Sequence, residues 1–390
     1  MPDVALPHLA RTAPRDDIRE IEALLIQLEE QAHPRRAGSP GEAMMAAFVN
    51  GRLRRAGMGV ATYPLNVTVH TGGSYIIVSL LGLLLLTLSL WLPLLSLLVA
   101  LILFGWLIVD TFGAPIPPIG RHSASQTIVG VRAIEGAAGL NPRTPRWRVV
   151  LLAPLDSTLA WGGVRLLAGS ERVGQSWRIG TALLLVVATG VALLFPMAWW
   201  LVALPSALGW LLLLLAALIQ PLLQPANGEI EALAALLSVA QREQLLRSVE
   251  LWAVAVGATQ VDPRGLTGLL RRLPFEPEST LFVSVERLAG EQLILVTHDA
   301  SMTLSAEMEG LVESSERLVH SRLGWPPRRS PLTWMLQRYG YRTLSIMAHP
   351  ATDIRTGLYE GRRASLLVDR VSRLVSGIIA QLEQGNDFNP

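Results

Sequence analysis

Two long stretches of this chain carry no charge: Tyr75 to Val109 and Ile179 to Leu223. A helix that crosses the hydrocarbon of a bilayer needs about 20 apolar residues, so each stretch has room for two passes. Each has a turn near its middle, at Trp91-Leu92-Pro93 and at Phe195-Pro196-Met197. Proline resists continuing a helix and biases its predecessor away from helical angles. Tryptophans gather at these turns (Trp91, Trp199, Trp200) and near the opposite ends (Trp106, Trp177), as membrane-interface anchors do. A helix apolar all round belongs in a large core or in a membrane, and runs this long point to the membrane. The expectation is four transmembrane helices in two hairpins, 75–110 and 179–223.

Hairpins with such short turns leave 1–74, 111–178 and 224–390 on one side of the bilayer, free to fold as one discontinuous domain. Segment 111–178 carries eight arginines against Glu135, Asp156 and Glu171, whereas the hairpin turns carry no charge. The positive-inside rule then places the globular side in the cytoplasm, and the helices are expected in the cell inner membrane. The N-terminal 74 residues show no signal-peptide pattern, which agrees. The spans contain no Asp, Glu, Arg or His, residues that usually mark transport paths and proton relays, so the pattern argues against a transporter or pump. Gly82, Ser79, Ser89, Gly105, Gly190 and Gly209 are small enough to let helices approach closely.

Outside the apolar stretches the pattern alternates. Asp16 to Gln31 reads as an amphipathic helix with Ile18, Ile21, Leu24, Leu25 and Leu28 on one face. Ser39, Pro40 and Glu42 form a capping box opening a helix through Met44, Phe48 and Leu53, closed by Gly57. Strands are expected over Val60–Val69, Thr127–Ala133, Trp147–Leu155, Val249–Val256, Leu281–Val285, Leu293–Thr297 and Leu344–Met347. The nearly all-apolar run in Trp147–Leu155 suits a central strand buried on both faces. Further helices are expected from Asn227 to about Arg247, from Asp262-Pro263 through Arg272, and from Ser365 to Gln384, stopped by Gly385. Together these imply an α/β fold, a three-layer sandwich around a mostly parallel, mixed sheet.

Composition removes several chemistries. All 33 basic residues are arginine, so no lysine can form a Schiff base or serve a phosphate loop. The chain has no cysteine, which excludes disulfides, thiolate zinc sites, iron–sulfur clusters and thiol nucleophiles. Glycine-rich dinucleotide and phosphate-loop patterns are absent. The arginine pairs 54–55, 271–272, 328–329 and 362–363 lack the interleaved aromatics of nucleic-acid readers and suit solvated faces or lipid headgroups.

Four segments, in order, resemble the co-catalytic di-zinc exopeptidases, the family of aminopeptidases, glutaminyl cyclases and the transferrin-receptor ectodomain. HPRRAGSPGEAMMAAFVNGRLRRAGM (33–58) is similar to that family's opening R-x-x-G-S helix. RVVLLAPLDS (148–157) is similar to the strand ending in A-H-x-D-S. PANGEIEALAALLSVAQ (225–241) is similar to the G-A-N-D-N-A-S-G helix, and VELWAVAVGATQVDPRGLTGLLRR (249–272) to the strand ending in G-x-E-E-x-G. The resemblance implies an aminopeptidase-like domain made of 1–74, 111–178 and 224–390, with the two hairpins as insertions.

A pair of zinc ions about 4 Å apart needs a bridging carboxylate, terminal His and carboxylate ligands and a general-base Glu. By the resemblance the first His position reads Pro154, the bridging Asp reads Gly228, and the Glu pair reads Thr259 and Gln260. The next acidic position falls near Glu286 and the final His near Tyr359; Asp156 survives, though in the family it supports a His ligand. The expectation is therefore a degenerate site with no metal, no cofactor and no catalytic residues. None of the seven histidines (His8, His33, His70, His122, His298, His320, His349) pairs at the spacing of a helical zinc site. Ser157 lacks the G-x-S-x-G setting of a nucleophile elbow.

Three functions follow from these residues. The first is a membrane-anchored, non-catalytic aminopeptidase-like protein, binding a peptide-like ligand or another membrane protein. The second is an active membrane-bound metallohydrolase with a rebuilt site of Asp156, Glu286 and His298 or His349. The third is a structural subunit of a larger membrane complex.

Overall fold

The computed structural model describes residues 14–31, 35–68, 72–111, 122–134, 144–157, 172–219, 230–259, 264–273, 275–286, 288, 292–297, 314–317, 333, 336–337, 339–349 and 361–385. In chain order the helices are α1 (Pro14–Glu30), α2 (Pro40–Arg55), α3 (Gly72–Leu88), α4 (Pro93–Thr111), α5 (Arg172–Leu194), α6 (Trp199–Ile219), α7 (Ile230–Arg242), α8 (Arg264–Arg272) and α9 (Gly361–Glu383). The strands are β1 (Gly59–Thr68), β2 (His122–Arg132), β3 (Trp147–Pro154), β4 (Val249–Val256), β5 (Thr280–Val285), β6 (Gln292–Thr297), β7 (Ser314–Arg317) and β8 (Arg342–His349).

All eight strands join one sheet in the order β1-β2-β4-β3-β5-β8-β6-β7. The centre, β4-β3-β5-β8, is parallel throughout. Antiparallel pairs occur at β1–β2, β2–β4 and β6–β8. The sheet is mixed and its centre parallel, as the pattern implied. Strand β3 sits mid-sheet with Val149, Leu151 and Ala153 packing on one face and Val150 and Leu152 on the other. That double burial explains its unbroken apolar run. Helices α1, α2, α7 and α9 cover the first face; Leu266 and Leu269 of α8, with Phe275 and Leu336, cover the second.

Local signals account for most helix ends. Ser39 caps α2, its Oγ accepting from Glu42 N at 3.2 Å, with Pro40 in the first turn. Gly57 and Gly385 follow α2 and α9 with φ of +81° and +80°, the left-handed angle glycine adopts without cost. Other ends depend on distant residues. Arg132, from β2, donates to Ala56 O at the end of α2 and to Ala240 O and Glu243 O at the end of α7. One guanidinium thus satisfies carbonyls that two helix termini would otherwise leave unpaired. At the amino edge of the sheet, Glu383 of α9 accepts from the amides of Arg247, Ser248 and Val249.

Some boundaries differ from expectation. Strand β2 begins at His122, five residues early, because it pairs along the whole of β1 from Thr68↔His122 to Gly59↔Val131. Helix α7 stops at Arg242 rather than near Arg247, where Arg132 meets its last carbonyls. Strand β7 was not anticipated, since SSER has no apolar alternation to betray it. Asn227 lies outside the described residues.

Helices α3, α4, α5 and α6 form a separate bundle: α3 lies against α6, α4 against α5, and α5 against α6. Two contacts need glycine. A Cβ on Gly82 would come within 2.6 Å of the buried Trp210 ring, and one on Gly209 within 2.8 Å of Thr181. Gly105 and Gly190 face open space instead. The stretches 174–194 and 196–219 are each long and apolar enough to cross a bilayer; the apolar cores of α3 and α4, 74–88 and 93–109, are shorter.

Candidate functional site

In parallel α/β sheets, ligands usually bind beyond the carboxyl ends of the strands, and the resemblance placed its residues there. The strand register gives the positions of the described ones. Pro154 ends β3 opposite Val256 of β4, and Leu152 pairs with Ser284 of β5. Asp156 follows β3, Thr259 follows β4 and Glu286 follows β5, so all three lie at one edge. Each is buried, at 1%, 6% and 4% exposure.

Asp156 and Thr259 are directly joined. Thr259 donates its N–H at 2.9 Å and its hydroxyl at 2.6 Å to Asp156 Oδ1. Between β4 and Thr259 the chain turns through Gly257 and Ala258, and Ala258 has φ +57°. A non-glycine residue in that region is strained and persists where surrounding contacts over-determine it. A Cβ on Gly257 would lie 2.3 Å from Gln126 O, so the turn is pressed against β2.

The principal residue missed by sequence reasoning is Glu42. Its place in the capping box was legible, but its carboxylate also reaches other elements. Oε2 accepts from Gly38 N at 2.5 Å, while Oε1 accepts from Ser125 Oγ at 2.8 Å and Ala258 N at 3.2 Å. Ser39 N donates to Arg36 O at 2.9 Å. Successive amides of the β4 turn therefore serve two carboxylates: Ala258 to Glu42, Thr259 to Asp156.

Burial pushes the Glu42 carboxyl up to about 7, and the nearby Asp156 charge pushes in the same direction. The three donors pull the other way and lose. At neutral pH Glu42 thus exchanges a proton beside Asp156. Gly38 closes the motif: its φ is +71°, its carbonyl accepts from Ser123 Oγ at 3.0 Å, and a Cβ there would meet Ser123 Oγ at 2.3 Å.

Ser157 N donates to Arg35 O at 2.9 Å, and the buried Ser157 hydroxyl has no hydrogen-bond partner among the described residues. Glu286 stands one strand away from Asp156. Its Oε1 accepts a short hydrogen bond from Ser284 Oγ, and its N–H donates to Ile346 O at 3.1 Å. His349 is the last residue of β8, opposite Gln292. Gly228, Gln260, Tyr359 and His298 lie outside the described residues.

Pro154 has no side-chain donor atom, and the Thr259 hydroxyl gives its hydrogen to Asp156. Among the described residues no three His, Asp or Glu side chains are grouped to hold a metal ion. What the arrangement does chemically is fasten α2, β2, β3 and β4 together through paired acids at one sheet edge.

No protein-family model and no curated protein sequence matches this chain. Among solved structures, a zinc aminopeptidase from Bacillus subtilis is similar at a TM-score of 0.50 and 10% identity, over 94% of this chain and 95% of that one. An aminopeptidase from Aneurinibacillus sp. strain AM-1 aligns at a TM-score of 0.49 and 12% identity, covering 93% of both chains. A glutaminyl cyclase from Fimbriiglobus ruber aligns at 0.49 and 10% identity, over 95% of this chain and 96% of its own. Likeness at such identity is one of fold, and the first comparison carries it: the α/β domain has the architecture of a zinc exopeptidase.

Proposed function

We propose that this protein is a membrane-anchored, non-catalytic relative of the zinc exopeptidases that acts as a binding or scaffold subunit. All four apolar helices α3 to α6 would span the bilayer, with the α/β domain on the cytoplasmic side of the inner membrane. Its partner would be another membrane protein or a peptide-like ligand. The observation that carries this reading is the carboxyl edge itself. By the sequence resemblance Pro154 falls at the position of a metal-binding His, and at that edge Asp156 Oδ1 is taken up by both donors of Thr259. The membrane reading rests on two helices long and apolar enough to cross, and on leucines along all four that face outward.

Metal analysis and peptidase and glutaminyl-cyclase assays on the purified full chain test the proposal. The expected result is sub-stoichiometric zinc and no activity that a chelator abolishes. Stoichiometric zinc with chelator-sensitive activity would overturn it and favour the rebuilt site. That second reading draws on Asp156, Glu286 and His349 standing at or just beyond the carboxyl ends of β3, β5 and β8, which are neighbours in the order β3-β5-β8. The purely structural role predicts instead that the protein co-purifies in mild detergent as a fixed stoichiometric part of a larger complex.

A further inference from the structure

Both membrane hairpins leave the α/β domain from the same edge of the sheet. Strands β1, β3 and β4 run in one direction, because β1 and β4 are each antiparallel to β2 and β3 is parallel to β4. The first hairpin departs after Thr68 and returns at His122, and these two residues are register partners across β1 and β2. It replaces the turn of a β-hairpin at the carboxyl edge. The second departs after Ser157, just past the end of β3, and returns at Ile230. Helix α7 then carries the chain back to the amino edge to begin β4, as a parallel crossover must. The described ends of all four connections on the domain side, Thr68, His122, Ser157 and Ile230, therefore lie at the edge that holds Glu42, Asp156 and Thr259.

The first crossing is short. Three residues separate Thr68 from Gly72, so with extended chain and then helical rise, Tyr75 lies no more than about 20 Å from the end of β1. Tyr75 marks the boundary level of the bundle: the Arg178 guanidinium stacks over its ring at 4.8 Å. Charged residues in the four helices, Asp110, Arg172 and Arg178, all stand at this end. The opposite end carries Trp91, Met197 and Trp200, all exposed and uncharged. The amino edge is farther from the bundle by the length of β4, about 26 Å for its eight residues.

We infer that the carboxyl edge of the sheet, with its Glu42–Asp156–Thr259 cluster, is apposed to the lipid headgroup layer, so that a ligand of this edge is one held at the membrane surface. The inference rests on the membrane reading above and adds an orientation to it. A domain hung by four crossings from one edge cannot present that edge freely to bulk solution.

The chain has no cysteine, so single-cysteine spin labels report without background. The full chain in lipid nanodiscs containing a nickel-chelating headgroup lipid would be labelled at A124C on the carboxyl edge, L245C on the amino edge and L204C within the apolar length of α6. All three native residues are exposed. With the two edges about 26 Å apart, nickel should relax the label at 124 at least about tenfold more than the label at 245. The label at 204 should be accessible to oxygen and shielded from a water-soluble nickel chelate. If 204 behaves this way but 245 relaxes as much as 124, the orientation is wrong and the membrane reading stands. If 204 meets the water-soluble chelate freely, the membrane reading fails and the orientation falls with it. The pair H122C and Q244C repeats the edge comparison should either first variant fold poorly.

Discussion

The α/β domain and the helical bundle bury side chains by opposite rules. In the domain, apolar residues are inside and buried charges are matched: Asp156 to Thr259, Glu42 to three donors, Arg132 to three carbonyls. In the bundle, apolar residues are both inside and outside. Among the described residues, every exposed large apolar side chain except Ile26, Met44, Leu245, Tyr339 and Leu366 belongs to α3–α6 or their turns. A surface of that kind in water would be a large patch demanding a partner; against lipid chains it costs nothing. The difference teaches that the bundle is held by fit, as at Gly82 against Trp210, and the domain by fit plus polar matching.

The largest test of this contrast is Gly257→Val. Its side chain would press on Gln126 O, Ser125 Oγ and Glu42 Oε1 at once, and the expected loss is about 4 kcal/mol or more, seen as failure to accumulate folded protein. Normal accumulation with an unchanged melting temperature would show that the carboxyl-edge turn is looser than described.

A matched pair of substitutions sharpens the two rules. Leu204→Arg in α6 and Leu366→Arg in α9 replace leucines of 64% and 44% exposure. In a bilayer the first should cost about 3 kcal/mol of insertion, whereas the second, on a water-facing surface, should stay within about 0.5 kcal/mol. Membrane-insertion and chemical-denaturation assays read the two, and equal small effects would contradict the membrane reading.

Glu42 supplies a pH signature for the domain alone. Its folded carboxyl titrates near 7, against 4.5 when unrestrained. Between these values the native state keeps a proton that the unfolded chain has lost. Stability should therefore fall as pH rises from about 4.5 to 7, by roughly 3 kcal/mol in total, and level off above. Glu42→Gln should flatten the slope in pH-dependent denaturation; an unchanged slope would assign it to other groups. Smaller again is Thr259→Val, which removes the hydroxyl donor to Asp156 while keeping the amide. A loss of about 1.5 kcal/mol is expected, and a neutral result would mean the amide suffices.

Much of the fold was legible in the residues. The apolar blocks, their proline turns, the Ser39 cap and the helix-ending glycines declare themselves because each acts within a few residues of its own position. The central place of β3 was legible too, since a strand covered on both faces has no polar side to show. Pro154, Asp156, Thr259 and Glu286 lie at the carboxyl ends of β3, β4 and β5; their standing as former ligand positions rests on likeness of pattern alone. Glu42 was legible only as a cap. Nothing near it in the chain signals that its carboxylate will lie beside Asp156 or accept from Ala258, because those neighbours come from other strands. Arg132 was unremarked for the same reason.

Local free energies, set by side chains a turn or a strand apart, made the elements and the bilayer-compatible helices a property of the amino-acid order. Which acids meet, which guanidinium closes two helix ends, and which edge of the sheet the hairpins leave from were decided by packing. Those contacts join residues 76 to 216 apart in the chain, and their energies exist only when the sheet brings them together.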